Sequence, residues 1–131
     1  MVVQLATDIL FAAGSASLSA DGKAALTEVA GVLASIPGRD FQIAGHTDDQ
    51  PISTAQFPSN WSLGAARAIA VTRLLIDSGL GSERVSAASY AEFQPSDTNK
   101  TKEGRANNRR IEIIVVPDLS AMPGFEELQE L

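Results

Sequence analysis

The stretch GHTDDQPISTAQFPSNWSLGAARAIAVTR, residues 45–73, decides how this chain can fold and what it can hold. A polar cluster ends an apolar run, a loop with two prolines follows, and a helical pattern then carries Arg67. Asp48 and Arg67 therefore lie on opposite sides of one loop. Because Asp accepts hydrogen bonds from an ammonium and Arg forks onto a carboxylate, the stretch could hold a ligand that carries both groups.

Periodic apolar patterns around this stretch predict the fold. Helical spacing predicts one helix from a Ser19 cap to Pro37 and a second over 62–78, in which Arg67 borders the apolar stripe. Alternation of apolar and polar residues predicts strands over 3–11, 41–46, 85–90 and 111–116. The order β-α-β-α-β-β with right-handed crossovers places both helices on one face of a four-stranded mixed sheet, an α+β two-layer sandwich.

Length, composition and charge restrict the class of protein. At 131 residues and 44% hydrophobic, the chain can form one domain with a core. We assign residues 1–117 to this domain and 118–131 to an acidic tail, in which a short helix could place Phe125 and Leu128 on one side. The net charge of -6 argues against nucleic-acid binding, since that depends on many Lys and Arg side chains. Without cysteine there is neither a disulfide framework nor a thiolate metal site.

The start of the chain bears on its cellular context. No stretch approaches the roughly 18 consecutive apolar residues of a membrane span. The first residues, MVVQLATDILF, lack the charged start and long apolar centre of a signal peptide. Because Met1 runs almost directly into a strand-like pattern, we expect a domain of a longer, membrane-anchored protein whose anchoring segment lies upstream.

Three motifs in this order resemble those of OmpA-like peptidoglycan-binding domains. They are GHTD at 45–48, N-x-x-L-x-x-x-RA at 60–68 and EGRANNRRIEI at 103–113. The resemblance covers residues 3–116. The expanded loop TDDQPISTAQFPSNW is most similar to that of MotB-type flagellar stator proteins, whereas outer-membrane proteins and Pal-type lipoproteins have shorter loops.

The resemblance implies the same strand and helix order, with the last strand inserted antiparallel between the others. It implies non-catalytic, non-covalent binding of the peptidoglycan stem peptide through its diaminopimelate residue, with no cofactor and no metal. Such a domain would anchor a larger envelope protein to the cell wall from the periplasm, and it could form a homodimer. The larger protein could be a stator protein, an outer-membrane protein or a lipoprotein.

The resemblance also assigns residues to the site. Asp48 matches the position that accepts the diaminopimelate ammonium, and Arg67 matches the one that pairs with its carboxylate. Two loop positions line the pocket and an Asn-Arg pair before the last strand closes it; they are Thr47, Asn60, Asn108 and Arg109. Two residues depart from the pattern. Gly64 replaces a Ser and should remove a helix cap, and Ala12 replaces an Asp or Asn and should remove a contact from its loop.

Several alternatives compete with this interpretation. Asp48 and Arg67 could be a structural ion pair that ties the loop to the helix. A metal site at His46, Asp48 and Asp49 lacks a distant second ligand, and a hydrolase built on His46 lacks a nucleophile beside a base. His46 is then a hydrogen-bonded structural residue, while Phe57 and Trp61 pin the loop to the body. A structural or dimerisation domain with weak or lost ligand binding is the main functional alternative.

Overall fold

A four-stranded sheet carries the fold. The computed structural model describes residues 2–117 and 123–131, apart from the side chain of Phe125. The strands are β1 (Val2–Ala6), β2 (Asp40–His46), β3 (Val85–Ala91) and β4 (Arg110–Val116). The helices are α1 (Thr7–Leu10), α2 (Ala20–Ala34), α3 (Asn60–Asp77), α4 (Lys102–Asn108) and α5 (Phe125–Gln129), and a 3-10 turn covers Ser82–Arg84. The expected α+β class with a mixed sheet is confirmed.

The last strand of the sheet lies inside it rather than at its edge. The strand order is β1-β4-β2-β3, in which β4 runs antiparallel to both neighbours and β2 runs parallel to β3. Ile111 and Ile113 of β4 are buried against the apolar sides of α2 and α3, together with Phe41 and Ile43 of β2. Each such side chain contributes on the order of 1.5–3 kcal/mol when buried. The central position of β4 also carries the residues just before it towards the end of β2.

The two long helices begin at serine caps. Ser19 Oγ accepts a hydrogen bond from Gly22 N at 2.9 Å, as the sequence predicts for α2. Helix α3 begins two residues earlier than predicted, where Ser62 Oγ accepts from Ser59 N at 3.0 Å. The expectation that Gly64 removes the cap of this helix is therefore wrong, because the cap lies upstream of it.

Gly64 instead permits close contact between α3 and the sheet. A Cβ atom on Gly45 of β2 would lie 2.2 Å from the Gly64 carbonyl oxygen, and one on Gly64 would lie 2.5 Å from Ser89 Oγ. No side chain fits between these backbones without displacing one of them. The two glycines thus set how closely the start of α3 approaches the end of β2.

The first strand is shorter than predicted. β1 ends at Ala6, and the single turn α1 follows, with Phe11 N donating to Thr7 O at 2.8 Å. This turn buries the adjacent Leu10 and Phe11 and leaves Ile9 66% exposed, so the period-two pattern predicted over 3–11 breaks after residue 6. The run Ile-Leu-Phe is apolar throughout and fits either pattern, which is why alternation alone misassigned it.

The part of the chain described after β4 contains one short helix. α5 leaves Leu128 62% exposed. The acidic tail expected over 118–131 begins with residues 118–122, which lie outside the described residues, as does the side chain of Phe125. Within 2–117 and 123–131, no helix is both long enough and apolar enough to cross a membrane.

Candidate ligand-binding site

A cleft of about 580 Å³ opens at the end of β2. Its walls come from the turn after β1, the segment that follows β2 and the first two turns of α3. Five residues predicted from the sequence line it, namely Thr47, Asp48, Asn60, Arg67 and Arg109. Asn108, the sixth, does not line it, and Asp8, which the sequence analysis did not assign, does.

Asp48 is held by two donors at the base of the cleft. Its Oδ1 accepts from Gln50 N at 3.0 Å, and its Oδ2 accepts from Arg109 Nη1 at 2.6 Å. The partner of this carboxylate is therefore Arg109 and not Arg67, so the structural pair Asp48–Arg67 considered from the sequence is not formed. Because a carboxylate offers about four acceptor positions, Asp48 can still accept from a ligand.

Arg109 connects two carboxylates across the cleft. Its Nε and Nη2 donate to the two carboxylate oxygens of Asp8 at 2.9 and 2.8 Å, while Nη1 reaches Asp48. The hydrogen bonds that Arg109 donates to Asp8, and then the one that it donates to Asp48, raise the pKa of Arg109. The same guanidinium lowers the pKa of Asp8, mainly through the hydrogen bond. The arrangement fixes Arg109 in a fork geometry with one face towards the cleft.

Asp8 belongs to the site because it contacts Arg109, which lies 101 positions later in the sequence. In a strand over 3–11 it would have been one polar residue of an alternating pattern. The turn α1 instead brings it beside the residue that precedes β4, whose carbonyl also accepts from Thr7 N at 3.0 Å. Near Asp8 the sequence shows only that this residue lies three positions before the buried Phe11. That spacing does not predict an ion-pair partner for its carboxylate.

Arg67 is buried more deeply than its position beside the apolar stripe suggested. It is 4% exposed, and its Nε and Nη2 donate to the carbonyl oxygens of Ser15 and Ala12 at 2.8 and 3.3 Å. Its guanidinium carbon lies 5.3 Å from the centre of the Phe11 ring. Burial lowers the pKa of Arg67, although a guanidinium stays protonated at neutral pH. In the described chain its Nη1 makes no hydrogen bond, which leaves a donor for a ligand.

Ala12 contacts Arg67 through its backbone, while the loss of a side-chain contact expected there stays a prediction. The carbonyl oxygen of Ala12, and not a side chain, meets Arg67. Replacement of an Asp or Asn by Ala at this position therefore leaves the loop tied to α3.

Thr47 and Asn60 shape the segment that carries Asp48. Thr47 Oγ1 donates to the Asp48 carbonyl oxygen at 2.8 Å, and Thr47 N donates to Ala91 O at 2.9 Å. Asn60 Nδ2, with its amide orientation assigned from these contacts, donates to Gln50 O and Glu92 Oε2, each at 3.1 Å. Both side chains thus hold residues 47–50 against the end of the sheet.

Asn108 has a structural position outside the cleft. Its Oδ1 accepts from the backbone N–H groups of Ser96 and Asp97 at 2.8 and 2.9 Å, and its Nδ2 donates to Asp97 O and Asn99 Oδ1 at 2.9 and 2.8 Å. It is fully buried. The expectation that Asn108 closes the pocket together with Arg109 is corrected, because neighbouring residues at a helix end point in different directions. Asn108 holds the 96–99 loop in place.

His46 lies under the site without lining it. The ring is 3% exposed and stacks on Tyr90 with centroids 5.1 Å apart. Its Nε2 is 3.5 Å from Glu112 Oε1, yet neither ring nitrogen makes a hydrogen bond of regular geometry to any described residue, so the expected hydrogen-bonded role is corrected to a packing one. Burial is the main cause that lowers the pKa of His46. Across the described ranges, no group of three His, Cys, Asp or Glu is placed to hold a metal ion.

Comparison with known proteins places this chain in a family. The model of the OmpA family matches residues 10–109. Over 118 residues the chain is 36% identical to motility protein B of Bacillus subtilis, covering 89% of this chain and 45% of that protein. It is 40% identical over 116 residues to the uncharacterised protein YtxE of the same organism, covering 88% and 48%. The chain thus spans about half the length of these curated relatives.

Two solved structures share the fold. The periplasmic domain of Helicobacter pylori MotB superposes with a TM-score of 0.87 at 27% identity, covering 98% of this chain and 83% of that one. The cell wall anchor of the type VI secretion system (T6SS) from Pseudomonas aeruginosa superposes with a TM-score of 0.82 at 38% identity, covering 89% and 81%.

Proposed function

This chain belongs to the OmpA family, and we propose that it binds peptidoglycan without covalent chemistry through the diaminopimelate of the stem peptide. Its relatives of known structure are periplasmic or cell-wall-anchoring domains, and the chain is a periplasmic domain of the cell envelope. The observation that carries the proposal is the charge pattern of the cleft. Two carboxylates and two guanidiniums, from Asp8, Asp48, Arg67 and Arg109, line one small space.

The cleft charges balance, which suits a zwitterion. The free end of diaminopimelate carries an ammonium and a carboxylate on one carbon, so its net charge is zero. Asp48 accepts from the ammonium, and the unused donor of Arg67 meets the carboxylate. A lysine side chain at the same place of the stem peptide brings the ammonium alone and leaves a desolvated guanidinium without an anion. The cleft therefore discriminates against lysine through an unpaired charge.

The proposed role is binding, and we assign no reaction to the cleft. The hydroxyl of Thr47 donates to a backbone carbonyl and not to a base. His46 does not line the cleft and is stacked on Tyr90. A nucleophile that contacts a base is the minimum for acyl or glycosyl transfer by covalent catalysis, and the residues lining this cleft do not supply one.

The remainder of the proposal concerns the larger protein. We propose that residues 1–117 are the wall-binding domain, that 118–131 form a C-terminal tail, and that an upstream membrane segment connects the domain to its parent. Motility protein B among the relatives favours a stator-like parent, although the lipoprotein YiaD of Escherichia coli is also 32% identical over 117 residues. In either case the domain is the point at which an envelope protein is fixed to the wall.

A structural or dimerisation domain is the second candidate function. It is favoured by the contacts that the site already makes without ligand, since Arg109 joins two carboxylates and Arg67 holds two carbonyls. Such a domain would keep the same charges for stability alone. The two candidates differ in whether neutralising Asp48 removes affinity for the wall.

Co-sedimentation with purified sacculi separates these candidates. The wild-type domain should sediment with sacculi that contain diaminopimelate and stay in solution with lysine-containing sacculi, whereas Asp48→Asn should stay in solution with both. Asp49→Asn is the matched control, because Asp49 is exposed, adjacent in sequence and not part of the cleft. Equal sedimentation of the wild type and Asp48→Asn would leave the structural candidate standing and overturn the proposed function.

A further inference from the structure

Two aromatic side chains form an exposed pair beside the cleft. Trp61, the second residue of α3, and Phe93, just after β3, have ring centres 5.5 Å apart with a tilt of 32°. They are 50% and 65% exposed. The expectation that Trp61 pins the loop to the body is wrong, whereas Phe57, given the same role, is only 4% exposed. The rings stabilise each other, but most of their outer surface faces solvent.

Polar groups connect this aromatic pair to the cleft. Asn60, the neighbour of Trp61, lines the cleft and donates to Glu92 Oε2, and Glu92 is the neighbour of Phe93. The second carboxylate oxygen of Glu92 accepts no hydrogen bond from the part of the chain that the structure describes. Asn60 thus joins the cleft to Glu92, and the aromatic pair follows these two residues directly in sequence.

We propose that Trp61, Phe93 and Glu92 form a subsite for the amino-sugar chain of peptidoglycan. A pyranose ring has faces of C–H groups that pack on aromatic rings, and its hydroxyls donate to carboxylates. The inference rests on the proposed function, since the stem peptide held in the cleft brings the sugar chain close to this position. It goes beyond that function because it adds a second point of contact with a different chemical class of ligand.

The dimensions of the ligand agree with the placement of the two sites. Diaminopimelate is the third residue of the stem peptide counted from the sugar, and three residues span at most about 10 Å when extended. The Cα atoms of Trp61 and Asn60 are separated by about 3.8 Å, as for any consecutive residues. We therefore place the sugar of a peptide held between Asp48 and Arg67 at the aromatic pair, whose Trp61 follows the cleft-lining Asn60 in the chain.

A protein partner is the other occupant that exposed aromatic rings can attract. Two rings provide a small fraction of the roughly 1,000 Å² that a specific protein interface buries. The carboxylate at their edge and the continuity with a cleft for a small polar group favour a sugar. A contact between copies of the chain is retained as an outcome of the test.

Calorimetry with two matched ligands tests the subsite. One ligand is a stem tripeptide ending in diaminopimelate, and the other is the same tripeptide attached to its disaccharide. The disaccharide should tighten binding to the wild type about fivefold, the size expected of one aromatic contact. Trp61→Ala and Phe93→Ala should each bring this ratio close to one without changing the affinity for the tripeptide alone. Ile69→Ala, a control at another exposed apolar position of α3, should keep the ratio.

Trp61 is the only tryptophan, so its fluorescence gives a separate readout. Chitotetraose, a sugar chain without peptide, should quench it in the wild type and do so less in Phe93→Ala. In the calorimetry, equal affinities of the wild type for the two ligands would overturn the subsite. So would an affinity ratio that stays the same in both aromatic variants. If Trp61→Ala also converts a dimer to a monomer in sedimentation, the pair belongs to a contact between copies.

Failure of the proposed function gives a different result from failure of the subsite. If the tripeptide does not bind at all, the proposed function fails and the chitotetraose titration decides the subsite alone. Quenching that depends on Phe93 then supports it, and no quenching at millimolar sugar overturns it.

Discussion

Two buried arginines, Arg110 and Arg67, differ in whether all their side-chain nitrogen atoms donate hydrogen bonds within the described chain. Arg110, at the start of β4, is 6% exposed. Its Nε, Nη1 and Nη2 donate to Glu112 Oε2, Asn108 O and Gln94 O at 2.8, 3.3 and 2.9 Å. Arg67 is as deeply buried but retains Nη1 without a partner in the described chain. Donors that are all used within the chain are typical of a structural role, whereas Arg67 lines the cleft and keeps the donor that the proposed ligand would meet.

A second difference separates Arg109 from its neighbours, although its three side-chain nitrogen atoms also donate within the chain. Asn108 and Arg110 on either side of it are buried and used internally, whereas Arg109 alone turns into the cleft. The short segment 108–110 therefore holds the 94–99 loop in place and also forms part of the cleft wall. Substitutions in this segment should divide into those that unfold the domain and those that leave it folded but change binding.

The largest expected effect is at Arg110. Arg110→Met removes a buried guanidinium and leaves the carboxylate of Glu112 without its partner, which should lower the free energy of unfolding by about 3–5 kcal/mol. Urea denaturation followed by circular dichroism measures it, with the exposed Arg39→Met as control. The affinity of the folded variant for the stem peptide should not change. A loss below about 1 kcal/mol would mean that the saturated cluster does not stabilise the fold.

Arg67 should show a smaller loss of stability and a large loss of binding. Arg67→Ala leaves the carbonyls of Ala12 and Ser15 without donors, at a cost of about 1–3 kcal/mol of unfolding free energy. It should also weaken binding of the stem peptide about 10- to 100-fold, since a charge-assisted bond to the ligand is lost. The exposed Arg73→Ala on the same helix is the control. Unchanged affinity in a folded Arg67→Ala protein would assign Arg67 to the structural class.

Asp8 should show the smallest effect and a defined pH dependence. The hydrogen bond from Arg109 holds the pKa of Asp8 in the folded protein below the value of about 3.9 for a free Asp, so the ion pair contributes fully above about pH 4 and is lost as the pH falls through the folded pKa. Because Asp8 is half exposed, Asp8→Asn should cost only about 0.5–1 kcal/mol at neutral pH. Thermal unfolding at pH 7 and pH 3 should show a difference between wild type and variant that shrinks in acid. A difference of equal size at both values would contradict an ionic origin.

The sequence was sufficient to predict the structure where a residue and its near neighbours in the chain determine the local conformation. The alternation in 41–46 and 111–116 gave the two central strands, and Ser19 and Pro37 bounded α2 to within three residues. Asp48 and Arg67 could be placed in one site because a single loop separates them. These features depend on local periodicity and capping, which a sequence displays directly.

The sequence was not sufficient to predict the structure where contacts between residues distant in the chain determine it. Asp8 enters the site only because α1 interrupts the first strand and Arg109 lies opposite it, and neither fact has a local signature. Asn108 and Arg109 could not be told apart, since the end of α4 determines which of the two faces the cleft. For the same reason the ion pair considered as an alternative joined Asp48 to Arg67, whereas the partner in the structure is Arg109.

A coupling measurement tests most directly whether Asp48 receives the ligand's ammonium. The wild type and Asp48→Asn are titrated calorimetrically with the stem tripeptide and with the same tripeptide acetylated on the free amino group of diaminopimelate. Acetylation should weaken binding to the wild type at least tenfold and have little further effect on Asp48→Asn, a coupling of about 1.5–3 kcal/mol. Asp49→Asn should respond to acetylation as the wild type does. If acetylation weakens binding equally in the wild type and Asp48→Asn, the ammonium is bound elsewhere and the account of this cleft is wrong.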